Sequence, residues 1–308
     1  MNATYFEFAG ADGKALPAVI WKPENATAVL QVVHGTTEHM GRYEAFASSM
    51  AAFGIVVAGF DLRGHGRHPG DPTVAAFVPG DWQASVSDVQ LFREYLHQTF
   101  PGVPHFLMGF SLGSFLVRDL VNLYPVDSLA GVILMGTGHQ PGWLLSVMQK
   151  IVAGQIKKVG FDQPSALVRK LSFGMYNDKF KPNRTDVDWL SSCETAVDDY
   201  LADPLVRRQT SSGLFWELLG SMKRHCSPKE YDRWDKNLPI LLISGEEDPV
   251  GNAGKGVAII HRQMKKARMN QVTMKLIPGA RHALLLGGTE GVEPLMGEWM
   301  QICCQSHT

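Results

Sequence analysis

The sequence predicts an α/β fold: a mostly parallel, eight-stranded sheet flanked by helices and interrupted by a helical insertion. Three observations carry this. Short apolar segments recur along the 308 residues. The later ones are continuous rather than alternating, as strands buried on both faces read. Between them, apolar residues return every three or four positions, the period of an amphipathic helix. The alternation stops over about residues 139–236 and then resumes. Strand–helix alternation of this kind layers helices on a parallel sheet.

The strand candidates, in order, are Tyr5–Phe8, Leu16–Trp21, Ala28–Val33, Ile55–Phe60, His105–Phe110, Gly131–Met135, Ile240–Ser244 and Val272–Ile277. Val86, Val89, Phe92 and Leu96 place one face of an 84–99 helix on the sheet. Leu112, Leu116, Leu120 and Leu123 do the same after the fifth strand. Residues 254–267 and 292–302 are the last two helical stretches. Pro141, Pro164, Pro182, Pro204 and Pro228 punctuate the helical-looking insertion before Leu238-Pro239 leads back into a strand. The expected organisation is a core of residues 1–138 and 236–308 with a helical cap, 139–235, inserted in it.

Composition excludes several classes. Apolar residues make up 45% and charged residues 19%, so a large core is affordable and disorder is ruled out. Lys plus Arg number 29 against 30 Asp plus Glu. That balance argues against a nucleic-acid partner, which would need excess cationic charge. Met1 to Gly10 carries neither a cationic nor an apolar leader segment. The longest apolar stretch, residues 51–60, is far short of the roughly 20 residues that span a bilayer. Cys193, Cys226, Cys303 and Cys304 show no CxxC and no zinc-like His spacing, so they read as reduced thiols in a cytoplasmic protein. No metal or cofactor is expected.

The strongest local signal is Gly109-Phe-Ser-Leu-Gly113. It follows a strand and opens a helix, the setting of a nucleophile elbow, where side chains flanking the serine would clash. A serine hydroxyl needs a base within reach, and the base needs an orienting acid. With such an elbow, the acid and then the histidine follow the serine along the chain. Asp248, in Ser244-Gly-Glu-Glu-Asp-Pro-Val-Gly251, and His282, in Pro278-Gly-Ala-Arg-His-Ala283, both sit just past strands. That is the sheet edge where α/β folds build their sites. Glu246 and Glu247 rival Asp248, which is favoured because it precedes Pro249. His34, His65, His105 and His139 also sit near strand ends, but only His282 lies just past a strand that follows the acid. Two backbone N–H groups should hold a developing oxyanion. One is that of Leu112. The other is assigned to Thr36 in the loop His34-Gly-Thr-Thr-Glu-His39, where Gly35 permits the turn and His34 reads as a structural hydrogen bonder.

These motifs, with His34-Gly-Thr-Thr-Glu-His-Met-Gly-Arg-Tyr43, Asp61-Leu-Arg-Gly-His-Gly66, Asp248-Pro249 and Arg281-His282, resemble one branch of the α/β-hydrolase superfamily. It is the monoacylglycerol lipase and lysophospholipase-like branch, also grouped with the serine aminopeptidases. The resemblance covers both halves of the core and the cap only loosely. Residues 176–189 look like the cap of bacterial relatives described as lysophospholipases. The resemblance implies an α/β-hydrolase fold and a serine carboxylesterase with Ser111, Asp248 and His282 as triad. It implies that Glu38 and Arg42 brace the oxyanion loop, and that His65 and Gly66 are structural. One departure is Ala283, where relatives often carry an acid after the catalytic histidine.

The cap should set substrate choice. Residues 142–152 are strongly apolar and are followed by Lys157 and Lys158. Such a face suits an acyl tunnel, transient contact with a membrane surface or, most commonly, plain packing. His139, Trp143 and, in a second apolar stretch, Phe215 are the candidate pocket residues. Glu194, Asp198, Asp199 and Asp203 read as a solvated helix face, but an aminopeptidase would need such acids to hold a free amine. The leading reading is therefore a hydrolase of monoacyl lipids or similar small esters. An aminopeptidase and a non-catalytic binding protein on the same fold are the alternatives.

Overall fold

The computed structural model describes residues 1–126, 128–287 and 289–305. Its main sheet has eight strands: β1 (Asn2–Ala9), β2 (Ala15–Lys22), β3 (Ala28–Val33), β4 (Ile55–Phe60), β5 (His105–Phe110), β6 (Leu129–Met135), β7 (Ile240–Gly245) and β8 (Val272–Ile277). Their spatial order is β1-β2-β4-β3-β5-β6-β7-β8. β1 pairs antiparallel with β2, and β2 with β4. The remaining neighbours are parallel.

Helices α1 (Glu44–Ala51), α2 (Asp81–Thr99) and α3 (Leu112–Leu123) follow β3, β4 and β5. The eight-residue α1 was not foreseen, because so short a segment holds barely two turns of apolar pattern. Successive β3 residues split between the two faces, which is why the strand is apolar throughout. Val29 and Val33 pack with Phe92 of α2 and Leu116 of α3, while Leu30 and Val32 pack with Phe46 and Met50 of α1. All of the expected α2 face is buried. On α3, however, Leu123, the last residue of the helix, is 58% exposed.

All eight strands lie outside residues 139–235. That stretch contributes α4 (Gly142–Val159), α5 (Glu194–Ala202) and α6 (Ser212–Arg224), joined by short helical turns. Leu145 and Val152 of α4 bury against Phe215 and Leu219 of α6. It also holds one two-residue strand, Gln209–Thr210, paired with Val74–Ala75; two residues carry no readable period. After β7 and β8 come α7 (Lys255–Lys266) and α8 (Val292–Gln305).

The chain leaves β3 toward one edge to form β4, then returns to the other side of β3 to form β5. The loops after β3 and β5 therefore diverge and leave a crevice at their carboxyl ends, the usual place for a ligand in an open α/β sheet. The β3 and β4 loops are locked by two buried imidazoles. His34 donates from Nδ1 to the Gly35 carbonyl at 2.7 Å and accepts the Leu62 N–H at Nε2, 2.9 Å. His65 donates to the Arg63 carbonyl at 2.8 Å, and the two rings meet edge-on at 5.5 Å.

Two outcomes follow from this packing. A Cβ on Gly113 would lie 2.0 Å from the Val33 carbonyl oxygen, a backbone atom that cannot yield. Gly113→Ala should cost at least about 3 kcal/mol or abolish soluble expression, checked by thermal denaturation. Burial pushes the imidazoles of His34 and His65 down to about 3. The unfolded chain, titrating near 6.5, takes up protons that the folded one refuses. Stability is thus full above about pH 6.5 and is lost as pH falls toward 3, by about 1.4 kcal/mol per pH unit for each ring. The melting temperature should fall between pH 7.5 and 5, less steeply in His65→Asn; equal slopes in the two proteins would refute the assignment.

Candidate active site

Ser111 follows β5 and caps α3 with φ 50° and ψ −115°, a conformation L-residues avoid. Its surroundings hold it there. The Ser111 N–H donates to Met135 O at 2.9 Å, and the Ser111 carbonyl accepts Ser114 N–H at 2.9 Å and Ser114 Oγ at 2.6 Å. A Cβ on Gly109 would lie 2.4 Å from the Gly113 carbonyl oxygen. Both flanking positions must therefore be glycine. Leu112 is the first residue of α3, so its N–H has no acceptor within the helix and points its partial positive charge at the elbow.

The loops after β7 and β8 meet backbone to backbone. A Cβ on Gly245 would lie 2.1 Å from Arg281 O, and Glu247 N–H donates to Ala280 O at 2.9 Å. This contact delivers Asp248 to His282. His282 Nδ1–H donates to the carboxylate at 2.9 and 3.0 Å, with both side chains buried. Asp248 also accepts from Ser244 Oγ at 3.1 Å and Val250 N–H at 2.8 Å. The rivals Glu246 and Glu247 are exposed. The His282 ring lies between Phe110, at 4.9 Å, and Trp189, at 5.1 Å. Phe110 is the residue before Ser111, so the histidine stands at the elbow. With Nδ1 engaged by Asp248, Nε2 is left as the basic nitrogen.

The loop after β3 is braced from both ends. Glu38 accepts the Gly35 N–H at 2.5 Å and the Tyr43 hydroxyl at 2.8 Å. Burial raises the Glu38 carboxyl above its usual range. Arg42 turns instead to the cap, reaching Asp203 at 3.3 Å and lying 5.0 Å over the Tyr200 ring. Tyr200 hydrogen-bonds Thr37 at 2.8 Å, and Thr37 itself sits at φ 59°. His39 accepts the Gly41 N–H and donates to Asp203 at 2.8 Å. Thr36 follows Gly35 in this braced turn, and its Oγ1 is buried without a partner.

A cavity of about 650 Å³ opens between the β3 loop and the cap, lined by Thr37, Phe173, Val187, Trp189 and Tyr200 among others; Ser111 and His282 are not in its lining. None of the three expected pocket residues lines it. Trp143 is 71% exposed on α4. Phe215 packs behind the cavity wall, 5.4 Å from Phe173. His139 is half-buried, with its backbone against Gly256. An amphipathic sequence shows which residues are apolar but not which side of the cap faces the crevice. Glu194, Asp198, Asp199 and Asp203 also stay outside the lining: Asp203 is taken by His39 and Arg42, and Asp198 pairs with Arg184.

Sequence reasoning gave no role to Trp189, Tyr200 or Arg281. Arg281 donates to the Asp188 and Ser191 carbonyls, and Ala283 N–H to Leu190 O, so the cap holds the histidine loop. The signals were the Tyr176–Trp189 segment and the Arg281-His282 motif, whose contacts no local pattern reveals. Among the described residues no cluster of His, Cys, Asp and Glu could hold a metal ion, and no helix is long and apolar enough to cross a membrane.

The chain is 29% identical over 278 residues to the monoglyceride lipase of Homo sapiens, covering 89% of this chain and 82% of that protein. It is 25% identical over 280 residues to the monoacylglycerol lipase of Mycolicibacterium smegmatis, covering 89% and 88%. A carboxyl esterase from Bacillus coagulans, solved in complex with glycerol, superposes with a TM-score of 0.84 at 24% identity, over 100% of this chain and 98% of that one. That last likeness speaks for the fold alone. Residues 24–288, both halves of the core with the cap between them, match the family model described as Serine aminopeptidase, S33, and the chain belongs to that family.

Proposed function

We propose that this protein is a serine carboxylic-ester hydrolase acting on monoacyl lipids. The observation that carries the reading is the buried Asp248–His282 pair standing beside a strained serine at a strand–helix elbow. In the proposed cycle His282 Nε2 takes the Ser111 hydroxyl proton as Oγ attacks the ester carbonyl. The Thr36 and Leu112 N–H groups hold the resulting oxyanion. The carbon–oxygen bond to the alcohol breaks, and the alcohol leaves with the proton from His282. Water, deprotonated by the same imidazole, then releases the fatty acid and regenerates Ser111. The human and mycobacterial relatives named above support monoacyl lipids as the substrate class.

Two further points belong to this reading. The exposed side of α4 carries Trp143 and Val147 four residues apart, then Lys150, Lys157 and Lys158, and Gly142–Val159 has no acidic residue. Such a face suits transient rest on a lipid surface. Among the described residues Cys193 and Cys226 form no disulfide, which fits a cytoplasmic setting. The aminopeptidase alternative lacks support at the cavity. Of its two acids, Asp186 is bonded by Arg169 and Arg208, and Asp178 by Lys181.

Hydrolysis of p-nitrophenyl esters from acetate to palmitate tests the reading. Ser111→Ala should lower kcat by about 10⁴ or more, and Asp248→Asn by about 10³–10⁴, with circular dichroism unchanged. An aminoacyl-anilide should not be turned over. A folded wild type inert across the ester panel, or an active Ser111→Ala, would sink the proposal.

A further inference from the structure

His282 is buried, and two aromatic rings lie against its imidazole. Phe110 stands 4.9 Å away at an interplanar angle of 37°, and Trp189 stands 5.1 Å away at 33°. Flat rings lying edge to edge could not approach so closely, so each turns its π face to the imidazole. Both rings are held in place. Phe173 stacks on Trp189 at 5.6 Å, Tyr176 lies 5.4 Å from it, and Trp189 N–H donates to Asn177 Oδ1 at 3.0 Å. Phe110 is backed by the loop after β3, where a Cβ on Gly35 would lie 2.9 Å from its ring.

The charged groups nearby are already engaged. Asp248 is bonded to the imidazole, while Glu246 and Glu247 on the same loop are exposed. Arg281 turns to the Asp188 and Ser191 carbonyls. Asp188 accepts the Arg184 and Thr185 N–H groups. On the loop after β3, His34 stays neutral, and Glu38 faces Gly35 and Tyr43. On the loop after β6, burial pushes His139 down. Burial and the Asp248 charge push the Tyr176 hydroxyl up to about 12, so it too is neutral. A protonated imidazole here therefore depends on Asp248 and on what its ring faces meet.

We propose that Phe110 and Trp189 are positioning residues that act through His282, their π faces stabilising the imidazolium that forms during each half of the cycle. The kinetic part of this inference rests on the ester-hydrolase reading. A cation within about 6 Å of an aromatic centroid is attracted by the ring quadrupole, most strongly where water is excluded. The imidazolium forms when Ser111 attacks the ester and again when water attacks the acyl-enzyme, so both steps gain. Aliphatic side chains would cover the imidazole equally well but would offer no such attraction.

The test is the pH profile of kcat/KM on p-nitrophenyl butyrate, followed at the isosbestic wavelength of the product, which reports the free enzyme's essential base. Losing a group that favours the protonated ring moves the midpoint of the acid-side rise to lower pH. Trp189→Leu and Phe110→Leu should each lower it by about 0.5–1 unit and reduce the plateau about 3- to 10-fold. Trp189→Phe, which keeps a ring, should shift it by less than half as much. Tyr176→Phe should leave it in place. If the rings only kept water off the imidazole, their removal would let water solvate the cation and raise the midpoint. An unmoved or rising midpoint in a folded leucine variant overturns the proposal. Circular dichroism checks folding, and the two rings are tested separately, so loss of fold in one variant leaves the other decisive. Nitrogen-15 NMR of labelled histidine, with the His282 signal assigned by its loss in His282→Gln, follows the same midpoint without turnover. A lowered midpoint there in a protein that hydrolyses no ester would refute the catalytic reading and leave the aromatic contact standing. Normal hydrolysis with an unmoved midpoint would do the reverse.

Discussion

The site depends on how closely three backbone segments approach one another at the end of β5. Ser111 occupies a region of φ and ψ that its own Cβ disfavours. It stays there because the turn is pinned by its bond to Met135 and because α3 starts almost in contact with the end of β3. Neither Gly109 nor Gly113 has room for a methyl group. One close contact thus does several things. It aims the serine upward, presents the free N–H of Leu112 beside it, and places the β3 loop, with Thr36, across from both.

A second close approach, between the loops after β7 and β8, completes the arrangement. It turns two residues 34 apart in sequence into a buried hydrogen-bonded pair. The pair leans on the cap, because the histidine loop hangs from carbonyls of residues 188–191 and its ring is covered by Trp189. The loop after β3 leans on the cap as well, through Tyr200 and Asp203. The insertion is therefore more than a lid over a finished site: its residues hold two of the loops on which the site is built.

Much of this was legible in the chain. Continuous apolar runs located the central strands, because each side chain of such a strand enters one of two cores, and shorter apolar segments located the edge strands. The elbow was legible because its steric demand falls on residues adjacent in sequence. Asp248 and His282 were found by chain order and by their positions just past strands, and they meet in the fold. The cap was not legible in the same way. Trp143 and Phe215 are apolar residues on amphipathic helices, and apolarity alone does not say whether a face meets solvent, another helix or a cavity. Leu123 shows the same ambiguity at the end of α3.

By itself, then, the sequence determined the sheet and the flanking helices, and it placed Ser111, Asp248 and His282 just past strands. Those depend on periodicity and on short-range sterics, both written in neighbouring residues. Only the tertiary structure decided which residues line the cavity, which acids are already neutralised, and which rings lie against His282. Those depend on distances between segments far apart in the chain, such as Trp189 over His282, Asp203 on His39, and Asp186 between Arg169 and Arg208. Hydrogen-bond balance in a cavity is a property of the assembled surface, and no local pattern encodes it.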